Sequence, residues 1–393
     1  MDLSLSSDDR ALLDELRSFV AEHKPEAIGR WDRWNPPGDH SLVRPEAMAF
    51  VKQLGQAGLL GVDLPREWGG RGATSVQAHL LFRELAGHNL PSGGQGVWSI
   101  APALLRHGTD EQRRTYLPGL LSGEIHFALG LTEPGGGTDL ANLKTRAVRS
   151  GDTYLVNGQK AFTTQQHWAS HIWLAVRTSE TAPRHRGISV LIVDADAPGI
   201  TALPMYTQAG ERTNMVYFDD VRVPVANLVG EENHGFRILM EAVDYERLAV
   251  SGPELEPLLD IVIGEWRAQR AQASEVAAGQ LDALATELGQ LTADIRSVRV
   301  MGFHAAWQHD RGRPINSETA MLKLWTARLR EQLASFAIAL LTRREPTTPE
   351  AATAIGYFEN LYLAAALFKF GAGGLEVLQD IIAEVTLRMP RSR

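Results

Sequence analysis

Among the side chains of types that could move a proton is the carboxylate of Glu246, set at the edge of an apolar helix stripe. It lies in Asp244-Tyr245-Glu246-Arg247, inside a segment opening near Gly235. There Phe236, Leu239, Met240, Val243 and Val250 recur at helical spacing and form one apolar stripe. Arg247 points almost along that stripe and Glu246 falls at its edge. A charge in such a place is costly unless it is paired or used. Spacing alone reads as an ion pair or a snorkelling side chain at a helix interface, unless the charge is put to use. A second cluster runs from Ile125 to Thr164, IHFALGLTEPGGGTDLANLKTRAVRSGDTYLVNGQKAFTT. It sets backbone N–H groups and threonine hydroxyls beside a flat apolar surface, which suits a planar, polar-edged cofactor. Gly-rich loops are common, and Glu133 and Asp139 read equally well as solvated turn residues. The loop is neither a Walker loop nor a strand-linked GxGxxG, so those routes to nucleotide binding have no support.

These groups need a scaffold, and the sequence punctuates one. Residues 1–122 read as helical, broken by WNPPGDHSLVRPE and by turns such as REWGGRG and PSGGQG. Ser6 and Asp9 fit a capping box ahead of Leu12, Leu13, Leu16, Phe19 and Val20 on one helix face. Residues 123–230 turn to short strands: HIWLAVRT, GISVLIVDAD and TNMVYFDDVRVP are rich in β-branched and aromatic residues. Asn157-Gly158 is the pair favoured in a tight hairpin turn. Residues 231–393 return to helical periodicity, with a long run from about Leu281 to Asp310. A further helix opens near Asn316-Ser317, and another at Thr348 with Pro349 in its first turn. The expectation is an α+β fold: an N-terminal helical domain, a central β-barrel-like domain and a C-terminal helical bundle.

Composition narrows the partners. The chain has 393 residues, a formal charge of −8 and no cysteine. An acidic balance argues against nucleic acid, and the lack of cysteine excludes disulfides and thiolate catalysis. The N-terminus lacks the basic start and apolar core of a signal peptide, and no apolar run reads as long enough to span a membrane. The chain therefore reads as cytoplasmic. No metal is expected: His167 and His171 have i,i+4 spacing in a strand-like context without a nearby acid, and His304 and His309 fall on different helix faces.

The TEPGGGTD loop together with the distant NGQKAFTT resembles the signature region of the acyl-CoA dehydrogenase family, and the helices–strands–helices order extends the resemblance over nearly the whole chain. It implies an FAD cofactor contacted by Leu129, Leu131, Thr132, Thr138, Phe162 and Thr164, with Phe162 where the family usually has tryptophan. Thr138 would also lie near the thioester of an acyl-CoA substrate. Most of the family takes its catalytic glutamate from a C-terminal Tyr-Glu-Gly-Thr motif; a minority, including the isovaleryl and long-chain types, places it on the helix after the β domain, immediately before an arginine. Glu246 occupies that alternative position, so the resemblance makes Glu246 the base for the α-proton, with Arg247 beside the substrate. Burial among Met240, Val243 and an acyl chain should raise its pKa towards working pH. Near the C-terminus, Phe370-Gly371-Ala372-Gly373-Gly374-Leu375-Glu376 is the nearest match to the usual motif. Ala372 falls at the glutamate, Gly374 replaces the threonine, and Glu376 keeps a polar flavin-contacting position. By itself FGAGG also reads as a helix C-cap.

Two family elements are missing. The Arg-x-x-Phe-Gly segment has become Arg270-Ala271-Gln272-Ala273-Ser274, and the Phe-Gly-Gly-x-Gly loop, with roughly twenty following residues, is absent before Phe370. In homomeric members these elements hold the neighbour's FAD. The resemblance thus extends to one subunit of the heterotetrameric acyl-CoA dehydrogenases of bacterial steroid side-chain degradation, implying a second dehydrogenase-like chain, a steroid side-chain CoA ester, and an electron-transfer flavoprotein as acceptor. Competing readings are a homomeric enzyme for branched or bulky acyl groups, an oxygen-using or nitroalkane-type relative, and a non-catalytic partner subunit.

Overall fold

The computed structural model describes residues 4–29, 31, 45–180, 184–343 and 348–390. The helices are α1 (Ser7–His23), α2 (Pro45–Gln56), α3 (Ser75–Gly87), α4 (Ala101–His107) and α5 (Asp110–Leu121). The strands β1 (Phe127–Gly130), β2 (Arg146–Ser150), β3 (Thr153–Lys160), β4 (His171–Arg177), β5 (Ile188–Asp194), β6 (Ile200–Tyr206), β7 (Arg212–Pro224) and β8 (Leu228–Val229) follow. Then come α6 (Gly235–Val250), α7 (Leu255–Gln272), α8 (Glu275–Asp310), α9 (Asn316–Leu341), α10 (Pro349–Phe370) and α11 (Leu375–Ile381).

Several starts and stops obey local chemistry. The Ser6 N–H donates to Asp9 Oδ2 at 2.9 Å and the Asp9 N–H returns a bond to Ser6 Oγ at 3.1 Å, closing the expected capping box on α1. Thr348 caps α10 through Oγ1, which accepts from the Ala351 N–H at 3.2 Å, with Pro349 in the first turn. The long helix α8 begins six residues before the expected Leu281, because Ser274 Oγ accepts from the Ala277 N–H and supplies an N-cap that the apolar period alone did not mark. Helix α10 corrects another expectation. By length and composition it is apolar enough to cross a membrane, its mean hydropathy reaching 1.2 over 18 residues, of which 28% are buried. Most of WNPPGDHSLVRPE lies outside the described residues; its last two, Pro45 and Glu46, open α2.

The strands form one eight-stranded sheet in the order β6-β7-β3-β2-β4-β5-β8, with β1 pairing parallel to β4 off that path. Among the described residues no ladder joins its ends, β6 and β8, and the sheet follows the N-terminal helices and precedes the C-terminal ones along the chain, as expected. Asn157-Gly158 does not make the hairpin turn. The β2–β3 turn is at Gly151-Asp152, with Ser150 opposite Thr153 and Gly151 at φ +64°. Asn157 instead faces a bulge in β7. Its side-chain Nδ2 donates to Asp220 Oδ1 and its Oδ1 accepts from the Asp220 N–H, both at 2.9 Å, holding Asp220 at φ +49°. Gly158 is required by crowding: a Cβ there would come within 2.7 Å of Thr145.

Two compact units result. One holds Trp34–Thr74 and Pro91–Glu246. Its larger core joins Ile100, Leu104 and Leu117 to Phe127, Trp173, Ile238, Leu239 and Ala242. Tyr154, Val156, Ile172, Leu174 and Phe218 belong to a second cluster of the sheet. The other unit holds Met1–Arg33, Ser75–Leu90 and Arg247–Arg393. Leu255, Leu259, Leu291, Ile295, Leu322, Leu333 and Phe358 fill its helical core.

Candidate active site

Glu133 is not a solvated turn residue. It is 8% exposed and its carboxylate accepts from the Lys144 N–H at 2.7 Å, the Thr145 N–H at 2.8 Å and Lys160 Nζ at 2.9 Å. Lys160, fully buried, donates also to the Leu131 carbonyl at 3.1 Å. Burial pulls the Lys160 ammonium down to about 8 against the upward pull of Glu133. Burial also works to raise the Glu133 carboxyl, but Lys160 and the bonds from Thr145 outweigh it and hold it below the usual carboxylate range. The buried pair ties the Glu-Pro-Gly-Gly-Gly loop to β3, and the Ala161 N–H adds a bond to the Thr132 carbonyl at 2.8 Å.

Phe162 follows immediately and breaks two habits at once. It is 55% exposed and sits at φ +56°, a left-handed conformation that costs an aromatic residue about 1–2 kcal/mol. Its neighbours enforce this: Ala161 is bonded to Thr132, while Thr163 donates its N–H to the Asn214 carbonyl at 3.0 Å and accepts from Asn214 Nδ2 at 3.0 Å. Strain held this firmly at an exposed ring suits a surface made to receive something flat. Half-buried Leu129 and Leu131 pack on the core cluster nearby in sequence. The buried Thr163 Oγ1 has no partner among the described residues, and Thr164 Oγ1 lies 3.2 Å from Thr213 Oγ1. Thr138 is exposed in the glycine turn. Apolar side chains of this kind, with the partnerless Thr163 hydroxyl next to Phe162 in sequence, would suit the isoalloxazine of FAD.

Helix α6 carries Glu246, half-buried. Its inner face brings Ile238, Leu239 and Ala242 into the cluster against which Leu129, Leu131, Phe236 and Met240 pack. Thus the strand leading to the TEPGGG loop and the helix bearing Glu246 share one core. Buried Ser99, in a π turn at Gly96–Ile100, donates Oγ to the Ala242 carbonyl at 2.8 Å, one helical turn before Glu246.

Arg247 is 4% exposed and does not snorkel. Its Nε donates to the Ala372 carbonyl at 2.9 Å, and a Cβ on Gly373 would stand 2.8 Å from its Nη2. The FGAGG segment does cap α10, but the left-handed positions fall on Ala372 at φ +55° and Gly373 at φ +101°, after extended Gly371. Gly374 is buried as the N-cap of α11, and Glu376 is exposed in its first turn. Among the expected site residues, Leu129, Leu131, Thr132, Thr138, Phe162, Thr164 and Glu246 belong to one unit; Arg247, Gly374 and Glu376 belong to the other.

Lys160 and Ser99 were not legible as site neighbours in the sequence, and Glu133 read equally well as a solvated turn residue. A signal for Lys160 existed: it keeps the parity of Tyr154 and Val156, the inward face of β3, so a strand continuing through Asn157-Gly158 buries it. Reading that pair as a turn hid the alternation. The histidine pair parts: His167 Nδ1 faces Asn214 Nδ2, while His171 packs between the rings of Phe127 and Tyr116.

Helices, a sheet and helices again follow one another along the chain, the element order expected of an acyl-CoA dehydrogenase. Comparison with known proteins agrees. Residues 6–124 match the N-terminal domain of acyl-CoA dehydrogenases, residues 128–221 the middle domain and residues 233–387 the C-terminal domain. The acyl-CoA dehydrogenase FadE26 of Mycobacterium tuberculosis is 34% identical, over 100% of both chains. A solved "Tcur3481-Tcur3483 steroid ACAD" is similar with a TM-score of 0.87 and 32% identity, covering 100% of each chain. A chain of the ChsE4-ChsE5 complex from Mycobacterium tuberculosis gives 0.84 and 32%, again over 100% of each. This chain belongs to the acyl-CoA dehydrogenase family, FAD-dependent oxidoreductases acting on CH–CH bonds.

Proposed function

We propose that this chain is one subunit of a heteromeric acyl-CoA dehydrogenase that introduces an α,β double bond into a steroid side-chain CoA ester, with Glu246 as the catalytic base. The observation that carries the base assignment is the Arg247–Ala372 contact. The residue gripped there has a methyl side chain and offers no acid, while the preceding residue on α6 is a half-buried glutamate. Glu246 takes the α-proton. The resemblance assigns Thr138 and Arg247 to the substrate, and Leu129, Leu131, Thr132, Thr138, Phe162, Thr164, Gly374 and Glu376 to the flavin. FAD, when bound, accepts the hydride that leaves the β-carbon.

The α-proton of a thioester is weakly acidic, so its carbonyl oxygen must be stabilised as negative charge develops. A trans peptide points its N–H opposite to its C=O. With Arg247 holding the Ala372 carbonyl, the Gly373 N–H is turned away from the guanidinium. That amide is the chain's donor to the thioester oxygen.

The heteromeric reading is supported by the names of the similar structures, a steroid ACAD of two named components and a two-chain complex. It is supported too by the use made of the segment a homomeric enzyme would lend. Here Arg270 forms a two-pronged pair with Asp282 at 2.6 and 3.0 Å, and Ser274 caps α8. The test is co-expression with the neighbouring dehydrogenase gene, followed by a flavin count. One FAD for every two chains is expected; one per chain in a self-assembled oligomer would refute the asymmetric pair. Electron-transfer flavoprotein as acceptor is tested by its substrate-dependent reduction.

A further inference from the structure

The buried Lys160–Glu133 pair lies beside the flavin platform without being part of it, and its placement is more specific than a structural clamp requires. The Lys160 ammonium has two acceptors, and one of them is the Leu131 carbonyl, at 3.1 Å. The next carbonyl, of Thr132, is held by the Ala161 N–H at 2.8 Å. Two successive peptide planes are therefore fixed by donors from β3 and its end. Because each plane is trans, fixing the Leu131 carbonyl also fixes the direction of the Thr132 N–H. That amide has no acceptor among the described residues. A carbonyl that accepts from a cation also polarises its peptide, making the opposite N–H a stronger donor.

We propose that Lys160 is a positioning residue for the cofactor: through the Leu131–Thr132 peptide its ammonium aims and strengthens the Thr132 amide as a hydrogen-bond donor to the polar edge of the flavin. The inference rests on the reading of Thr132 as a flavin contact. Its consequence is electrostatic. A donor backed by a buried cation favours the more negative, reduced form of the ring, so Lys160 raises the reduction potential of the bound flavin as well as its affinity. Glu133 keeps the ammonium charged and in place, and its own negative charge is spread over two further amides, of Lys144 and Thr145.

Replacing Lys160 alone strands the Glu133 charge, so the informative variant removes both charges: Lys160→Met with Glu133→Gln. Lys160→Arg, which keeps charge and donors, accompanies it. Each protein is prepared alone and co-expressed with the second chain, and melting curves, FAD affinity by fluorescence titration and the potential of bound flavin are measured. The double variant should melt near the wild type, yet bind FAD roughly tenfold more weakly, the loss of about one charge-assisted hydrogen bond. Its flavin potential should be more negative, and Lys160→Arg should retain most of the wild-type value. Equal affinity and potential in the double variant, or an Arg variant as impaired as the double variant, would overturn the role of Lys160. A wild-type protein that takes up no FAD in either preparation would sink the flavin reading itself and the inference with it.

Discussion

Two loops of this protein solve the same problem with different parts. After β1 the Leu131 carbonyl is gripped by Lys160 at the end of β3, and just beyond β3 Phe162 is held left-handed at φ +56°. After α10, Arg247 grips the Ala372 carbonyl and Ala372 itself is left-handed at φ +55°. In each case a buried cation fixes one peptide plane and so aims the N–H on its far side. The first cation stands against a buried carboxylate, Glu133, inside the sheet; the second sits at the end of α6 beside Glu246. The difference teaches a division of labour. The first loop spends its carboxylate on rigidity, whereas the second sets its cation next in sequence to Glu246, the residue proposed as the base.

The sharpest break between the loops is catalytic. Glu246→Gln should lower turnover by about 10²–10⁴-fold, the usual range for a general base, while Glu133→Gln, which touches no substrate in this account, should alter stability far more than the chemical step. Next in size is fold stability. Lys160→Met leaves Glu133 buried and unpaired and should cost about 3–5 kcal/mol in chemical denaturation, a loss that the double variant with Glu133→Gln largely recovers. Equal losses from the single and double variants would show that the pair is not the anchor.

The pH dependence of stability isolates the same pair. The folded Lys160 titrates near 8, below its ordinary 10.5, because burial outweighs Glu133, with the Arg177 charge adding in the same direction. Between those values the unfolded chain binds more protons than the folded one, so Lys160 makes stability rise with pH across that window. Glu133 works at the other end: its carboxyl is depressed, so its contribution is complete above the ordinary carboxylate range and fades as pH falls through the folded value. Denaturation at stepped pH should show a weaker alkaline rise in Lys160→Met. The smallest effects test the second loop. Ala372→Gly should relieve the left-handed strain and stabilise by about 1 kcal/mol. Gly373→Ala adds strain and a Cβ 2.8 Å from the Arg247 guanidinium, and should destabilise. Opposite signs at adjacent positions are the expected result in thermal melts.

Much of this was readable before any coordinates. The Ser6–Asp9 capping box, the Thr348-Pro349 start of α10, the strand runs of β4, β5 and β7, and Glu246 on a helix opening at Gly235 follow from short-range rules. What escaped was set by partners distant in sequence. Asn157-Gly158 has the composition of a turn, yet a bulge at Asp220 claims Asn157, and the strand runs on to bury Lys160. Glu133 looks solvated until Lys144, Thr145 and Lys160 converge on it. Arg247 stays open between an ion pair and a snorkelling cation because its acceptor lies 125 residues away. Periodicity reports the face of a residue, not the group that meets it there.

Glu246 is the proposed proton acceptor. Its most direct test mixes the flavin-loaded complex with excess acyl-CoA and follows the flavin absorbance by stopped flow. Glu246→Gln should keep its flavin and show no substrate-dependent bleaching; bleaching at the wild-type rate would contradict the account.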